Sequence, residues 1–278
     1  MLNITLATSR DNPDLPVDER ILARALEERG ARVRSLVWDD DAGGASADLV
    51  VIRATWDYHH DVSTFIRWVK SLTCVVNDAS LVSWNAHKRY LNELAHAGIP
   101  TIPTVMLESI EAFAAWRLRS PWRDVVLKPA VSASGYMTER FTLDDERADD
   151  HAAQIFRLGR ETLVQPFVES VMTDGERSYV MIDSELTHCV WRPPFGRGSV
   201  AAEAAARCIE PRADELELVH RTLRVLPRVP VYARVDIVRY NGAPVLSEAE
   251  LIEPSLYFAL CPQAAAALAD RIIAIAAK

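Results

Sequence analysis

The sequence predicts a protein of mixed α/β and α+β class, with a parallel α/β domain at its N-terminus and a larger α+β region after it. Strand and helix patterns alternate over the first 52 residues, which is typical of a parallel sheet. Further along, two pairs of strand patterns are joined by the dipeptides Asp183-Ser184 and Asn241-Gly242, which favour antiparallel hairpins. The chain has 278 residues, 49% of them apolar, which suffices for one large domain or two to three small ones.

The N-terminal elements follow from apolar runs and helix-end signals. Leu2 to Ala7 predicts a buried strand, and the amphipathic helix after it can be capped by Asp18 and ended by Gly30. Two more strands are predicted at 33–38 and 49–52. Parallel sheets bind ligands at the carboxyl ends of their strands, so the residues after the third strand are a candidate substrate site.

Polar and aromatic residues follow that third strand. The guanidinium of Arg53 suits a carboxylate through its two-pronged donor geometry, and Asp57 can receive the ammonium group of an amino acid. The alternative is a surface loop in which Trp56 and Tyr58 pack onto a helix at 63–70. The sequence alone leaves both interpretations open.

The rest of the chain continues as strand and helix patterns. Further strands are predicted at 75–77, 101–106, 124–129, 162–168, 176–182, 186–192, 232–238 and after Gly242, and further helices at 81–97, 109–118, 144–160, 214–226 and 264–277.

A lysine lies at the end of the apolar strand at 124–129. Lys128 is followed directly by a loop of small residues, 130–135, which includes Ser134 and Gly135. A buried strand rarely ends in lysine without a partner, because desolvating an ammonium group is costly. Small residues let backbone N–H groups approach an anion closely. Together these features predict a phosphate clamp.

Three carboxylates mark the predicted hairpin that turns at Asn241-Gly242. Asp236 lies in its first strand, and Glu248 and Glu250 lie two residues apart in the second, so they point to one face. Converging carboxylates repel one another unless a cation neutralises them, and hard oxygen ligands select Mg²⁺ or Mn²⁺. The alternative, an edge hairpin with a solvated acidic face, fits poorly with the apolar flanking residues.

Composition and charge exclude several classes of function. The net charge of -8 argues against nucleic acid or an anionic membrane as the main partner. No apolar run is long enough to span a bilayer, and the N-terminus does not resemble a signal peptide, so we expect a cytoplasmic protein. The four cysteines are scattered, without the spacing of a zinc site. The sequence leaves the oligomeric state open, with a homo-oligomer as one option.

In order along the chain, these features resemble the ATP-grasp superfamily, and especially its glutathione-synthetase-like branch. The ordered set is Lys88 on a helix, Lys128 before a small-residue loop, the linker from Gln165 to Val168, and the acidic hairpin. The resemblance implies an N-terminal pre-ATP-grasp domain at 1–84 and an ATP-grasp domain at 85–278. The latter divides into a part with the smaller lid subdomain at 85–164 and a catalytic subdomain at 165–278.

The resemblance also implies roles for individual residues around ATP. In that family two α+β subdomains hold ATP between them. Phosphate contacts are implied for Lys88, Lys128, Ser134 and Gly135, adenine contacts for Gln165, Phe167 and Val168, ribose binding for Glu176, a place at the transferring phosphate for Arg192, and two Mg²⁺ ions for Asp236, Glu248 and Glu250.

Two sequence segments narrow the resemblance to a subgroup. Residues 51–58 and 84–91 are similar to a bacterial subgroup that includes a cyclo-ligase forming D-cycloserine from O-ureido-serine. This implies an ATP-dependent carboxylate–amine ligase for a small amino-acid-like substrate, with Arg53, Lys128 and Arg192 as catalytic residues. Another amide-forming ligase, a kinase of the same fold and a nucleotide-binding regulatory module without turnover are the alternatives.

Overall fold

Three sheets organise the protein in a computed structural model that describes residues 1–40, 47–193 and 205–277. The strands are β1 (Asn3–Thr8), β2 (Arg32–Val37), β3 (Leu49–Ala54), β4 (Val75–Val76), β5 (Val105–Leu107), β6 (Asp124–Pro129), β7 (Glu139–Thr142), β8 (Thr162–Pro166), β9 (Glu176–Ile182), β10 (Glu185–Arg192), β11 (Arg207–Ile209), β12 (Tyr232–Tyr240) and β13 (Ala243–Glu250). The helices are α1 (Val17–Glu27), α2 (Val62–Ser71), α3 (Ala79–Asn85), α4 (Tyr90–His96), α5 (Ile110–Arg117), α6 (Arg147–Arg157), α7 (Ser170–Thr173), α8 (Ala213–Val225) and α9 (Pro262–Ala276), with a short 3₁₀ helix at Tyr58–His60.

The three sheets confirm the predicted fold class. The N-terminal sheet has the order β2-β1-β3-β4 and is parallel throughout. The other two sheets are antiparallel: a small one with the order β5-β8-β6-β7 and a large one with the order β11-β10-β9-β12-β13. The limits of the domains stay a prediction.

The C-terminal helix α9 joins the N-terminal sheet to the large sheet. Leu268 and Ile272 of α9 are fully buried in one core with Leu6 of β1 and Leu22 of α1. Val180 of β9 belongs to the same core, so α9 contacts both sheets. Apolar burial of this extent favours one continuous packing unit across the two regions.

Alternation along β9 places a second core on the opposite face of the large sheet. Tyr179 and Met181, one residue out of phase with Val180, pack with Leu218 of α8. The small sheet has its own core, formed with α5 and α6 and centred on Phe113. Each sheet therefore buries its apolar face against helices, as two-layer folds require.

The two predicted hairpins are confirmed, including their turns. Asp183 and Ser184 have φ angles of 52° and 69°, and Asn241 and Gly242 have φ angles of 52° and 82°. Positive φ at both central residues is the requirement of the two-residue turns that match strand twist. In the part of the chain that the structure describes, no helix combines the length and the apolar character needed to cross a bilayer.

Some boundaries differ from the predicted ones. The helix predicted at 81–97 is two helices, and Lys88 lies in the break between α3 and α4, where its backbone N–H donates to the Ala130 carbonyl (2.8 Å). Asp18 does not cap α1; its carboxylate accepts the backbone N–H groups of Phe258 and Ala259, both at 2.9 Å. Strands β7 and β11 and helix α7 were not predicted.

Candidate active site

The carboxylates of the acidic hairpin lie on one face of the large sheet. Asp236 of β12 is opposite Glu248 of β13, and Arg234 is opposite Glu250. Opposite residues of an antiparallel pair share a face, and so do residues two apart on one strand. The predicted juxtaposition is therefore present, with a cation, Arg234, added to it.

Both predicted phosphate lysines converge on one of these carboxylates. Lys128 Nζ lies 2.6 Å from Oε1 of Glu248, and Lys88 Nζ lies 3.3 Å from Oε2. Burial opposes ionisation of Glu248, but Lys128 and Lys88 outweigh it and hold its pKa well below the ordinary value. Two lysines from different parts of the chain thus contact the same carboxylate, that of Glu248, where the small sheet meets the large one.

Arginines surround the second carboxylate. Asp236 is 1% exposed, lies 2.7 Å from Arg192 and 3.0 Å from Arg234, and accepts the Ser178 hydroxyl at 2.7 Å. Burial opposes ionisation, but Arg192 and Arg234 prevail, so the pKa of Asp236 is lowered. Arg192 also pairs with Glu176, its neighbour across β9 and β10. Glu176, expected at the ribose, therefore belongs to this network.

Glu250 completes the network from the opposite side. It pairs with Arg234 at the edge of the cluster. Burial is the main cause that raises its pKa to about 7, with Arg234 opposing and Asp236 and Glu248 reinforcing the shift. A carboxyl of this kind keeps part of its proton near neutral pH.

Lysine and arginine side chains contact every carboxylate of the acidic face. Across residues 1–40, 47–193 and 205–277, no group of three or more His, Cys, Asp or Glu side chains is arranged to hold a metal ion. The oxygen donors suit Mg²⁺ or Mn²⁺ in kind, because hard cations prefer carboxylates. These oxygens contact lysine and arginine side chains, and metal binding stays a prediction.

The small-residue loop after β6 presents backbone donors. Ser134 and Gly135 are exposed and have positive φ angles of 51° and 71°. Among the described residues, the backbone N–H groups of these two residues have no acceptor. Free N–H groups in a turn of this kind form an anion-binding concavity, which fits the predicted phosphate contacts.

The linker from Gln165 to Val168 leads from the small sheet to the large one. Gln165 lies in β8, whereas Val168 packs with Val238 and Val245 of β12 and β13. Two of the groups predicted to contact adenine have other surroundings within the protein. The Phe167 backbone N–H already donates to the Asp124 carbonyl (2.9 Å), and the Gln165 side chain is 3% exposed.

Arg53 contradicts the prediction that it faces the substrate. Its side chain is fully buried, and its guanidinium makes a two-pronged ion pair with Glu19 of α1 at 3.0 and 3.1 Å. The same guanidinium donates to the Pro254 carbonyl at 2.6 Å. The two-pronged geometry expected for a substrate carboxylate is used by a carboxylate of the protein itself.

Of the residues that follow Arg53, one packs in the core and two make side-chain hydrogen bonds. Tyr58 packs against Phe65 of α2, with ring centroids 4.9 Å apart, as the packing alternative predicted. Asp57 accepts the Trp38 indole N–H at 2.7 Å. Trp56 donates its indole N–H to the Glu253 carbonyl at 3.0 Å, so this loop reaches the end of β13.

Side chains fix the backbone of residues 249–255, which we call the pinned segment. Their donors and acceptors come from three regions of the chain. Six side chains donate hydrogen bonds to its carbonyls: Asn85 to Ala249 O, Asn77 to Leu251 O, Tyr232 to Ile252 O, Trp56 to Glu253 O, Arg53 to Pro254 O and Arg234 to Ser255 O. Two of its backbone N–H groups donate to side chains: Ala249 N–H to Tyr90 and Leu251 N–H to Asn85.

Sequence reasoning missed several residues of this arrangement, among them Arg234, Asn77 and Asn85. Arg234 had a usable signal, because it lies two residues before Asp236 on the same strand and must share its face. Asn77 and Asn85 gave no such signal, since their partners are more than 150 residues away along the chain. Buried asparagines of this kind are recognised only once their backbone partners are known.

Comparisons with known proteins agree with this architecture. Residues 4–77 match the family described as "D-cycloserine synthetase DcsG, N-terminal domain". The chain is 30% identical to the cycloserine biosynthesis protein DcsG of Streptomyces lavendulae, over 90% of this chain and 92% of that protein.

Solved structures share the fold over almost the whole chain. The crystal structure of D-cycloserine synthetase DcsG superposes with a TM-score of 0.89 at 24% identity, covering 99% of both chains. D-alanine–D-alanine ligase from Bacillus anthracis complexed with ATP superposes with a TM-score of 0.72 at 14% identity, covering 100% of this chain and 98% of that one. Given the 30% identity to DcsG over nearly its full length, the chain belongs to the DcsG family, and it shares the fold of ATP-grasp ligases.

Proposed function

We propose that the protein is an ATP-dependent carboxylate–amine ligase that works through an acyl phosphate. The observation that carries this proposal is the convergence of Lys88 and Lys128 on Glu248, beside the arginines on Asp236. Phosphoryl transfer needs positioned cations around developing charge and little covalent chemistry from the protein. A site with four cations meets that need.

The charged residues exchange partners when nucleotide binds. Lys88 and Lys128 turn from Glu248 to the phosphates of ATP, and Ser134 and Gly135 donate their free N–H groups to the same anion. Arg192 stabilises charge on the phosphoryl group in transfer. Asp236, Glu248 and Glu250 would hold Mg²⁺ or Mn²⁺, which neutralises phosphate charge when bound.

The substrate we favour is O-ureido-D-serine, closed to D-cycloserine. Its carboxylate attacks the γ-phosphorus of ATP, which gives an acyl phosphate and ADP. The nitrogen bonded to the side-chain oxygen then attacks the acyl carbon, forms the ring amide and releases phosphate. Hydrolysis removes the carbamoyl group from that nitrogen as CO₂ and NH₃ and leaves D-cycloserine. Ring closure benefits from proximity, which contributes on the order of 7–11 kcal/mol in well-oriented reactions. The relatives named for cycloserine support this choice over other amino-acid ligases.

The test is ADP release with O-ureido-D-serine and a panel of other amino acids, with hydroxylamine added to trap an acyl phosphate as a hydroxamate. We expect ADP release and hydroxamate to depend on O-ureido-D-serine, and Lys128→Ala to lose both. ADP release without an amide or a ring would indicate a kinase. ATP binding without any stimulated ADP release would indicate a regulatory module.

A further inference from the structure

Glu253 lies three residues after the end of β13, where the charges of Glu250, Lys88 and Arg234 act on its carboxyl. Its backbone lies within the pinned segment, between two other residues whose carbonyls are also hydrogen-bonded to side chains. The preceding carbonyl of Ile252 accepts the Tyr232 hydroxyl at 2.7 Å, and its own carbonyl accepts the Trp56 indole at 3.0 Å. The next carbonyl, of Pro254, accepts Arg53 at 2.6 Å. Three successive anchors fix the direction in which the Glu253 side chain leaves the backbone.

The Glu253 carboxyl differs from the other carboxyls of the site. Glu248, Asp236 and Glu250 each have a lysine or an arginine as partner. Within the described ranges of the chain, the Glu253 carboxyl has no ion pair and, apart from its own backbone N–H, no hydrogen-bond donor. It is partly buried, so bulk water does not fully replace the missing cation.

The electrostatic surroundings of Glu253 point the same way. Burial, followed by the charge of Glu250, raises its pKa to about 8, and Lys88 and Arg234 do not compensate. A partly buried carboxylate without a cationic partner is unfavourable, and a cation supplied by a ligand removes that penalty. The site is therefore complementary to a ligand that carries a positive charge at this point.

A second acceptor without a donor lies on the Trp56 loop. His59 is 5% exposed, and its Nδ1 donates to the Trp56 carbonyl at 2.9 Å. Its Nε2 is buried and has no hydrogen-bond partner. Burial lowers the pKa of His59 to about 4, so Nε2 is an acceptor at neutral pH. His59 Nε2 is thus an unpaired buried acceptor on the loop whose Trp56 contacts Glu253, and such an acceptor calls for a ligand that brings an N–H donor.

We propose that Glu253 binds the ammonium group of the amino-acid substrate, and that Trp56 and Arg53 are positioning residues that hold it there. The inference rests on the proposed ligase function and adds the feature that selects its substrate. The ammonium group does not react in the proposed ring closure; it stays protonated and orients the carboxylate toward ATP. Glu253 would make the enzyme select amino acids over acids that lack the amino group.

The test compares two acids in two proteins. The acids are O-ureido-D-serine and its analogue with a hydroxyl group in place of the amino group, and the readout is kcat/KM for ADP release. The wild type should prefer the amino acid by about 10- to 100-fold, the range of a charge-assisted hydrogen bond. Glu253→Gln, which keeps the shape of the side chain, should lower that preference to within about threefold.

Controls separate a binding role from a structural one. The KM for ATP and the thermal stability should change little in Glu253→Gln, since the carboxyl has no side-chain partner to lose. Glu185→Gln, an exposed change on β10 of the same sheet, should keep the full wild-type preference.

The outcomes distinguish the two claims. An undiminished preference in Glu253→Gln would overturn the assignment of Glu253 and leave the ligase proposal standing. A wild type that releases ADP equally with both acids would overturn it as well. A wild type that no amino acid stimulates would overturn the ligase proposal and the Glu253 inference together.

Discussion

The two walls of the candidate site are held in different ways. The pinned segment, residues 249–255, is fixed by neutral and charged side chains that bind its backbone, and every one of those partners belongs to the protein. The opposite wall is formed by the loop at 130–138 and by Lys88 and Lys128. There the lysines share one carboxylate, and backbone N–H groups of the loop have no acceptor among the described residues.

This difference assigns different tasks to the two walls. Buried backbone hydrogen bonds are costly to break, so the pinned segment keeps one shape in the presence and absence of ligands. Ion pairs of lysine are exchangeable, because a phosphate can replace a carboxylate as the partner. We call the pinned segment the substrate wall, and the loop at 130–138 with Lys88 and Lys128 the nucleotide wall. We therefore expect the substrate wall to be preorganised and the nucleotide wall to be remodelled by binding.

The largest effect should come from removing the charge that both lysines share. Glu248→Gln should lower ADP release by about 10²- to 10³-fold or more, since it removes the carboxylate on which the lysines converge and a proposed metal ligand. The measurement is ADP release at saturating ATP, with folding checked by circular dichroism. Glu185→Gln is the matched control. Unchanged ADP release in Glu248→Gln would refute the role given to this carboxylate.

Arg53→Ala tests the substrate wall. Because Arg53 and Glu19 are both fully buried, removing one partner leaves an uncompensated charge, and the free energy of unfolding should fall by about 3–5 kcal/mol. Urea denaturation measures the change. The double variant Arg53→Met with Glu19→Leu should recover most of the loss. If Arg53→Ala is as stable as the wild type but impaired for the acid, Arg53 contacts substrate after all.

Asn85→Ala should have an intermediate effect on the same wall. Asn85 is 7% exposed and makes two hydrogen bonds to the pinned segment, with Ala249 O at 2.8 Å and Leu251 N at 2.9 Å. Leaving those groups without partners should cost about 1–3 kcal/mol of unfolding free energy. Gln154→Ala, on the exposed face of α6, is the control and should lie within the error of the wild type.

The smallest effect concerns the pH dependence of stability through His59. Its folded pKa, about 4, lies below the ordinary histidine value, so the unfolded chain binds a proton at pH values where the folded chain does not. This contribution is fully present above the ordinary pKa and is lost as pH falls toward 4, at about 1 kcal/mol between pH 7 and pH 5.5. His59→Gln should flatten the urea-derived profile over that interval. The exposed His96→Gln should not, and equal slopes in all three proteins would refute the assignment.

Local patterns were sufficient to predict most of the fold. The two hairpins, the parallel N-terminal sheet and the strand that ends at Lys128 each follow from periodicity and turn chemistry close in sequence. The break between α3 and α4 did not follow, because no glycine or proline marks it. Its cause is a tertiary contact, the hydrogen bond from Lys88 N–H to Ala130 O.

In the site, the sequence identified charged residues better than it identified what each of them contacts. The carboxylates and lysines were found because charge in apolar strands needs a partner, whatever that partner is. The role of Arg53 was wrong because the rule that places ligands at strand ends does not say whether a side chain meets the ligand or the protein. Glu253 was missed because its significance is a missing partner, which only three-dimensional neighbours reveal.

Hydrogen–deuterium exchange with and without an ATP analogue tests the contrast between the two walls most directly. In the ligand-free protein, the amides of Ala249 and Leu251, which donate to Tyr90 and Asn85, should exchange slowly, and those of Ser134 and Gly135, which have no acceptor among the described residues, should exchange fast. Adding AMP-PNP with Mg²⁺ should slow exchange at 130–138 and leave 249–255 unchanged. Fast exchange at 249–255 before ligand is added, or protection that appears only there on binding, would contradict a preorganised substrate wall beside a remodelled nucleotide wall.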